Sequence, residues 1–410
     1  GEDREFLKEI LKCFFIHCNT AYDFMIRTGT NQGITAGYGQ LFNISGCGKD
    51  GVDLTNDLTY LLLEVIDEMS PLLEPKPNVR LHQNSPEKLL DKVADMISSS
   101  QGAPFLLNFD ERSMAGMLLE AKRSGKEKYI NLDNVHDYAS VGCLENTMCG
   151  NDRSATVDCN LNIMKALEYT LNDGKDLIDY KDMLWGKKIK QTDTPPKTGD
   201  PKSFATFEEF FNAFTVQLKY IVAFMAKFYS EMDEARARFS PTPYLSAVVK
   251  GCAESGKDIT EGGAELNFVT IEAVTFASTV DSLLAIKYLV YDKKACTLDE
   301  LISALKANWE GYEKLQAIAI NKAPKYGRDD DEADELGRRV MEIWSNECWN
   351  HTTVTGKQFR GGMLSWNYWI SSGYILPASA DGRKRGQFLS NAICPVNGAD
   401  INGPTSNSNS

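Results

Sequence analysis

The sequence predicts a large α/β protein, and two observations carry that reading. Short extended runs alternate with amphipathic helices along most of the chain, and 410 residues with 42% hydrophobic content exceed what one small core requires.

In chain order, Phe6, Leu7, Ile10, Leu11 and Phe14 fall at helical spacing and predict a helix over residues 4–27. Leu58, Leu61, Leu62, Val65, Ile66 and Met69 predict a second. Residues 78–81 read as extended. Ser85-Pro86-Glu87 opens a third helix, with Ser85 as N-cap, Pro86 at the first helical position, and Leu89, Leu90, Val93 and Ile97 as its apolar stripe. Residues 104–109 read as extended, 114–123 as helical, 138–142 as extended, and 159–172 as a helix stopped by Gly174. The Pro- and Lys-rich stretch 186–203 is a surface loop. Helices follow over residues 207–238, 272–291, 298–309, 312–322 and 331–351. Acidic residues from Asp329 to Glu332 precede and open the last, where they suit the positive end of the helix dipole.

A formal net charge of −13 and a pI near 5.0 argue against nucleic acid or an anionic membrane as partner, since phosphate binding needs clustered cations. The densest basic run is Lys187-Lys188-Ile189-Lys190, in the predicted loop. The sequence contains neither a long uncharged apolar run nor a secretory signal pattern, so a cytoplasmic protein is expected. Ten cysteines without paired C-x-x-C clusters suggest neither a disulfide scaffold nor zinc. Cys13, Cys18, Cys252 and Cys296 read as small packed or surface residues. Gly1 opens inside a helical pattern, and the chain stops in a loop after Gly403-Pro404-Thr405, so it is read as a fragment.

The most informative segment runs from Asp137 to Thr147, where small and β-favouring residues lead a strand into a turn. Cys143 and Glu145 lie two apart, so in an extended tip both side chains project to one side. A neighbouring negative charge opposes the thiolate that nucleophilic chemistry needs. Hydrogen-atom chemistry needs no thiolate. By residue type alone, the cysteine reads as a buried filler and the glutamate as an N-cap or loop ion pair more readily than as a catalytic pair.

Val141-Gly142-Cys143-Leu144-Glu145 resembles the G-C-x-E active-site loop of the pyruvate formate-lyase-like glycyl radical enzymes, and Leu144 excludes the subtype with two adjacent cysteines. Pro77-Asn78-Val79-Arg80 resembles an earlier barrel strand of that family. Gly262-Gly263-Ala264-Glu265-Leu266-Asn267-Phe268 resembles its G-G-A-x-x-N-F segment, and residues 281–287 the helix that follows. Ala380-Asp381-Gly382-Arg383, with Gly386 and Gly403-Pro404-Thr405, resembles its P-D-G-R and G-P-T region, Ala380 standing where proline is usual. The matches occur in order and span residues 1–410.

The resemblance implies part of a ten-stranded α/β barrel with long outer helices, the 410 residues forming a fragment of a single catalytic domain. It implies Cys143 as the thiyl-forming residue and Glu145 as its acid/base partner. It also implies a glycyl radical installed by an activating enzyme that uses S-adenosylmethionine and an iron-sulfur cluster. That glycine normally follows the G-P-T region; the Gly-Tyr pairs here begin at Gly37, Gly311 and Gly373, all earlier, so it is expected outside the chain. No cofactor or metal is expected to bind this segment itself. A homodimer is implied, and a small accessory subunit is left open.

Asn146 stands where many lyases and dehydratases of the family have proline, and the string from Glu145 to Ser154 resembles the arylacetate decarboxylase branch. Met363-Leu364-Ser365-Trp366-Asn367-Tyr368-Trp369 and Asn391-Ala392-Ile393-Cys394-Pro395 are compatible with it. The expected reaction is therefore anaerobic decarboxylation of 4-hydroxyphenylacetate, indoleacetate or a similar acid. Glu265 is expected to bind a polar group on the substrate ring from the start of a short strand, or else to pair with a barrel arginine. His136 and His351 read as structural. The alternatives are another glycyl radical lyase or dehydratase, a fumarate-adding synthase, and a non-catalytic spare-part or binding subunit. A thiol hydrolase would need a base near Cys143, and His136 lies roughly 23 Å back along an extended strand.

Overall fold

A computed structural model describes residues 3–19, 41–72, 74–99, 105–142, 144–153, 158–181, 188–189, 193–364 and 368–410. They form a mixed α/β structure in two compact units.

The first unit begins with α1 (Arg4–Cys18), β1 (Leu41–Ser45), α2 (Asp57–Glu68), β2 (Lys76–Leu81), α3 (Glu87–Ser99), β3 (Leu106–Phe109), α4 (Asp110–Ser124), β4 (Tyr138–Val141) and β5 (Glu145–Met148). Strands β1, β2 and β3 form a parallel sheet in that order, with Asn43 opposite Asn78 and Arg80 opposite Asn108. Because side chains alternate across a strand, the sheet has two unlike faces. Ile44, Val79 and Leu81 pack with Phe15, Leu62, Leu63, Leu89 and Val93 into an apolar core. Asn43, Asn78, Arg80 and Asn108 occupy the other face. Asn56 caps α2 by accepting the Leu58 and Thr59 N–H groups.

The second unit holds β6 (Cys159–Asn162), α5 (Met164–Leu171), the short pair β7 (Tyr180–Lys181) and β8 (Lys188–Ile189), and most of α6 (Phe207–Phe239). The short helices α7 (Pro243–Val248) and α8 (Cys252–Ser255) belong to the first unit. The second then continues through β9 (Phe268–Val274), α9 (Phe276–Ile286), α10 (Leu298–Lys306), α11 (Glu313–Lys322), α12 (Asp331–Trp349), β10 (Gln358–Gly362), α13 (Tyr368–Ile375) and α14 (Pro404–Asn409). Its sheet runs β10-β9-β6, with β6 and β9 parallel. Val269, Ile271 and Ala273 join Phe276, Val280, Phe359 and Trp344 in a large core.

Four local expectations need correction. Residues 159–162 are a strand, because their ladder partners are Ile271 to Val274, a tertiary pairing that local propensity does not reveal. Likewise β9 takes residues 272–274 from the expected helix. It is buried on both faces, so its apolar run lacks a period, and Thr275 at φ 72° separates it from α9. Ser85 accepts the His82 N–H at 2.9 Å rather than serving as the expected cap. The first helix ends at Cys18, and residues 20–40 lie outside the described residues. The acidic opening of α12 is present, with Asp330 accepting the Glu332 and Ala333 N–H groups. No helix among the described residues is long and apolar enough to cross a membrane.

Candidate active site

The segment around Cys143 is a hairpin. Strands β4 and β5 pair antiparallel with Val141 opposite Glu145 and Ser140 opposite Asn146, so residues 142–144 connect them. Cys143 itself lies outside the described residues, and its neighbours on either side define the setting. Gly142 has φ 62°, and a Cβ there would stand 2.8 Å from Glu145 Oε2. The positive φ favours glycine, and an added Cβ would push the Glu145 carboxylate from its place. The Glu145 carboxylate is half-buried, and its Oε2 accepts the Leu144 N–H at 2.9 Å. An acceptor carboxylate is thus folded over the backbone on both sides of Cys143.

The hairpin is held against the polar face of the first sheet. The Asn43 side chain mimics a neighbouring strand: Nδ2 donates to the Ser140 carbonyl at 3.0 Å, and Oδ1 accepts the Ser140 N–H at 3.2 Å. Asn78 Nδ2 donates to Asn43 Oδ1 at 2.8 Å. Asn146 Oδ1 accepts from Asn108 Nδ2 at 3.0 Å and from Ser140 Oγ at 3.1 Å. The buried Oδ1 atoms of Asn78 and Asn108 and Oγ1 of Thr147 have no partner among the described residues. Buried acceptors in that state are costly unless a donor reaches them.

Beneath the hairpin, Arg80 donates to Asp110 through Nε at 2.8 Å and a terminal nitrogen at 3.1 Å. It also donates to the carbonyls of Tyr138 at 3.1 Å and His136 at 3.0 Å. The Tyr138 hydroxyl donates to Asp110 at 2.7 Å. Burial pushes Asp110 up, but the Arg80 hydrogen bonds and charge, with Tyr138, hold it below its usual range. Burial first, then Asp110, pushes the Tyr138 hydroxyl up to about 12. Burial and Asp110 likewise push the Cys47 thiol up to about 12, so this cysteine stays protonated. Sequence reasoning missed Asn43, Asn108 and the Arg80–Asp110–Tyr138 group. The available signal was an asparagine within each of three short runs, Leu41–Ser45, Lys76–Leu81 and Leu106–Phe109.

Glu265 occupies a bend before Phe268 rather than the start of a strand. Its Oε2 accepts from Asn151 Nδ2 at 2.9 Å, so the partner is an amide and not the expected arginine. Arg153 donates to the Phe268 carbonyl at 2.7 Å, and its backbone N–H donates to the Leu266 carbonyl at 3.0 Å. The structure therefore stitches the Glu265 segment to the chain leaving β5. Gly263 is required there, since a Cβ would meet the Lys257 carbonyl oxygen at 2.2 Å. His136 contacts Asp137 at 3.4 Å and His351 contacts Glu347 at 3.0 Å, both local structural contacts. The Asp381-Gly382-Arg383 motif is a loop anchor: buried Arg383 donates to the carbonyls of Gly373, Pro377 and Gln387.

A family profile described as pyruvate formate lyase-like matches residues 2–371. Trans-4-hydroxy-L-proline dehydratase of Clostridioides difficile is 34% identical over 405 residues, covering 98% of this chain and 48% of that protein. (2S)-3-sulfopropanediol dehydratase of Klebsiella oxytoca is 32% identical, covering 99% and 48%. Among solved structures, the B12-independent glycerol dehydratase of Clostridium butyricum matches with a TM-score of 0.87 at 28% identity, covering 100% of this chain and 49% of that one. The chain thus spans about half the length of the relatives it matches.

Proposed function

Because the chain belongs to the pyruvate formate lyase-like family, we propose that it is the thiol-bearing catalytic region of a glycyl radical lyase. The reaction we assign is loss of water, or of an equivalent leaving group, from a small hydroxylated substrate. The observation that carries this reading is the Glu145 carboxylate held on the Leu144 N–H, next in the chain to Cys143.

The donor set fits a glycyl radical: a thiol can exchange one hydrogen atom, and the adjacent carboxylate disfavours the thiolate that would divert it. That radical, installed by an activating enzyme using S-adenosylmethionine and an iron-sulfur cluster, supplies the abstraction that starts turnover. Cys143 takes a hydrogen atom from the substrate carbon bearing a hydroxyl and returns one at the end. Glu145 accepts the proton of that hydroxyl as the neighbouring carbon–oxygen bond breaks and hands it to the departing hydroxide, which leaves as water, so the carboxylate is restored. Partner-free buried acceptors on Asn78, Asn108 and Thr147 suit a substrate rich in hydroxyl or ammonium donors. Glu265 would bind substrate while held by Asn151. The activating enzyme and a second copy of the chain are the expected macromolecular partners.

The second reading, decarboxylation of an arylacetate, rests on the string from Glu145 to Ser154 and on indoleacetate decarboxylase of Tractidigestivibacter scatoligenes, 23% identical over 385 residues. The dehydratases, at 34% and 32%, support the first reading more strongly. The deciding experiment incubates the activated full-length protein with trans-4-hydroxy-L-proline, (2S)-3-sulfopropanediol, glycerol, indoleacetate and 4-hydroxyphenylacetate. Water loss from a hydroxylated compound is expected; carbon dioxide from an arylacetate alone would favour the second reading.

A further inference from the structure

A cavity of about 850 Å³ lies wholly within the second unit, between the connection from α11 to α12 and the loop that carries Asp381. Its volume is in the range of small-molecule sites. Lys325 lines it and is 6% exposed. Among the described residues its ammonium has one hydrogen bond, a long one of 3.4 Å to the Asp381 carbonyl. A buried ammonium satisfied so thinly is costly unless an anion reaches it.

Among the described residues neither nearby carboxyl hydrogen-bonds the Lys325 ammonium. Asp281 accepts the Tyr326 N–H at 2.8 Å, and Asp381 accepts from Ser379 Oγ and the Arg383 N–H. Burial raises Asp281 to about 7, against the charge of Lys325, so near neutrality it does not fully offset the cations. Arg328 also lines the cavity, its Nε bound to the Ala399 carbonyl at 2.6 Å. Opposite in character are Ile320, Phe388 and Ile401, which line the same space and are 46%, 47% and 70% exposed.

We propose that this cavity binds an organic carboxylate, with its anionic end between Lys325 and Arg328 and its carbon body covering Ile320, Phe388 and Ile401. The site goes beyond the catalytic reading and does not depend on it, since the Cys143 hairpin belongs to the other unit.

Calorimetric titration of the full-length protein with hexanoate, acetate and inorganic phosphate tests the proposal. Hexanoate should bind at least about ten-fold more tightly than acetate or phosphate, because only it covers the apolar wall. Lys325→Met should weaken hexanoate at least about ten-fold. Should that variant fail to fold, Arg328→Gln, at the rim, should weaken hexanoate by about three-fold or more. Absence of hexanoate binding, phosphate binding as tight as hexanoate, or unchanged affinity in the folded variants would overturn it.

Discussion

Glu145 turns its carboxylate back onto Leu144, accepting that residue's N–H at 2.9 Å, the peptide that follows Cys143. The same oxygen would meet a Cβ on Gly142 at 2.8 Å, so one carboxylate is fitted to the backbone on both sides of the cysteine.

Gly142→Ala should therefore strain the backbone at a φ of 62° and displace the Glu145 carboxylate from the Leu144 N–H. The strain is worth about 1–3 kcal/mol. We expect kcat to fall by at least about 100-fold, since a misplacement of the order of 1 Å has that effect. Thermal denaturation and steady-state kinetics on the activated protein check both parts, and retention of the glycyl radical signal separates the loop defect from failed activation.

Glu145→Gln keeps the acceptor for the Leu144 N–H but removes the proton carrier. Turnover should drop by about 10²–10⁴, the usual worth of a positioned acid/base. Hydrogen exchange between substrate and the Cys143 thiol should survive, so deuterium from solvent should enter recovered substrate without water loss. Normal turnover would remove Glu145 from the proposed chemistry.

The first strand of the hairpin was legible in the small and β-favouring residues that lead to Gly142, whereas the returning strand β5 was not, and the choice of Cys143 and Glu145 came from the family resemblance rather than from residue type. Sheet faces went unread: Asn43 and Asn108 stand between apolar residues in β1 and β3, but β2 carries Lys76 and Arg80 as well as Asn78, so the polar face against the hairpin emerges only when the three strands pair. Strand β9 was not legible either, since a run buried on both faces carries no period, and its strand character comes from pairing with β6. Arg80 and Asp110 are 30 positions apart in the chain and meet only in the folded unit. The same holds for Lys325 and Asp381, separated by 56.

The Arg80–Asp110 pair should govern acid stability. A carboxyl held below its ordinary 3.8 contributes stability that is full above that pH and lost as pH falls through the folded value. Thermal midpoints should therefore fall on acidification below about pH 4, and Asp110→Asn should flatten that part of the curve. At neutral pH the variant leaves Arg80 buried without its anion, at a cost of about 3–5 kcal/mol. Identical pH profiles for the two proteins would show that the pair does not set acid stability.

Glu265→Gln separates recognition from stitching. If the carboxylate binds substrate, the ratio of kcat/KM between a hydroxylated substrate and its deoxy analogue should change by about ten-fold or more. An unchanged ratio with a lower denaturation midpoint would assign Glu265 to holding Asn151 alone.

The most direct measurement is electron paramagnetic resonance with product analysis on activated Cys143→Ser in the full-length protein. An undiminished glycyl radical signal and no product are expected, because activation does not use the substrate-side thiol whereas turnover does. Product formed at the wild-type rate by Cys143→Ser would contradict it.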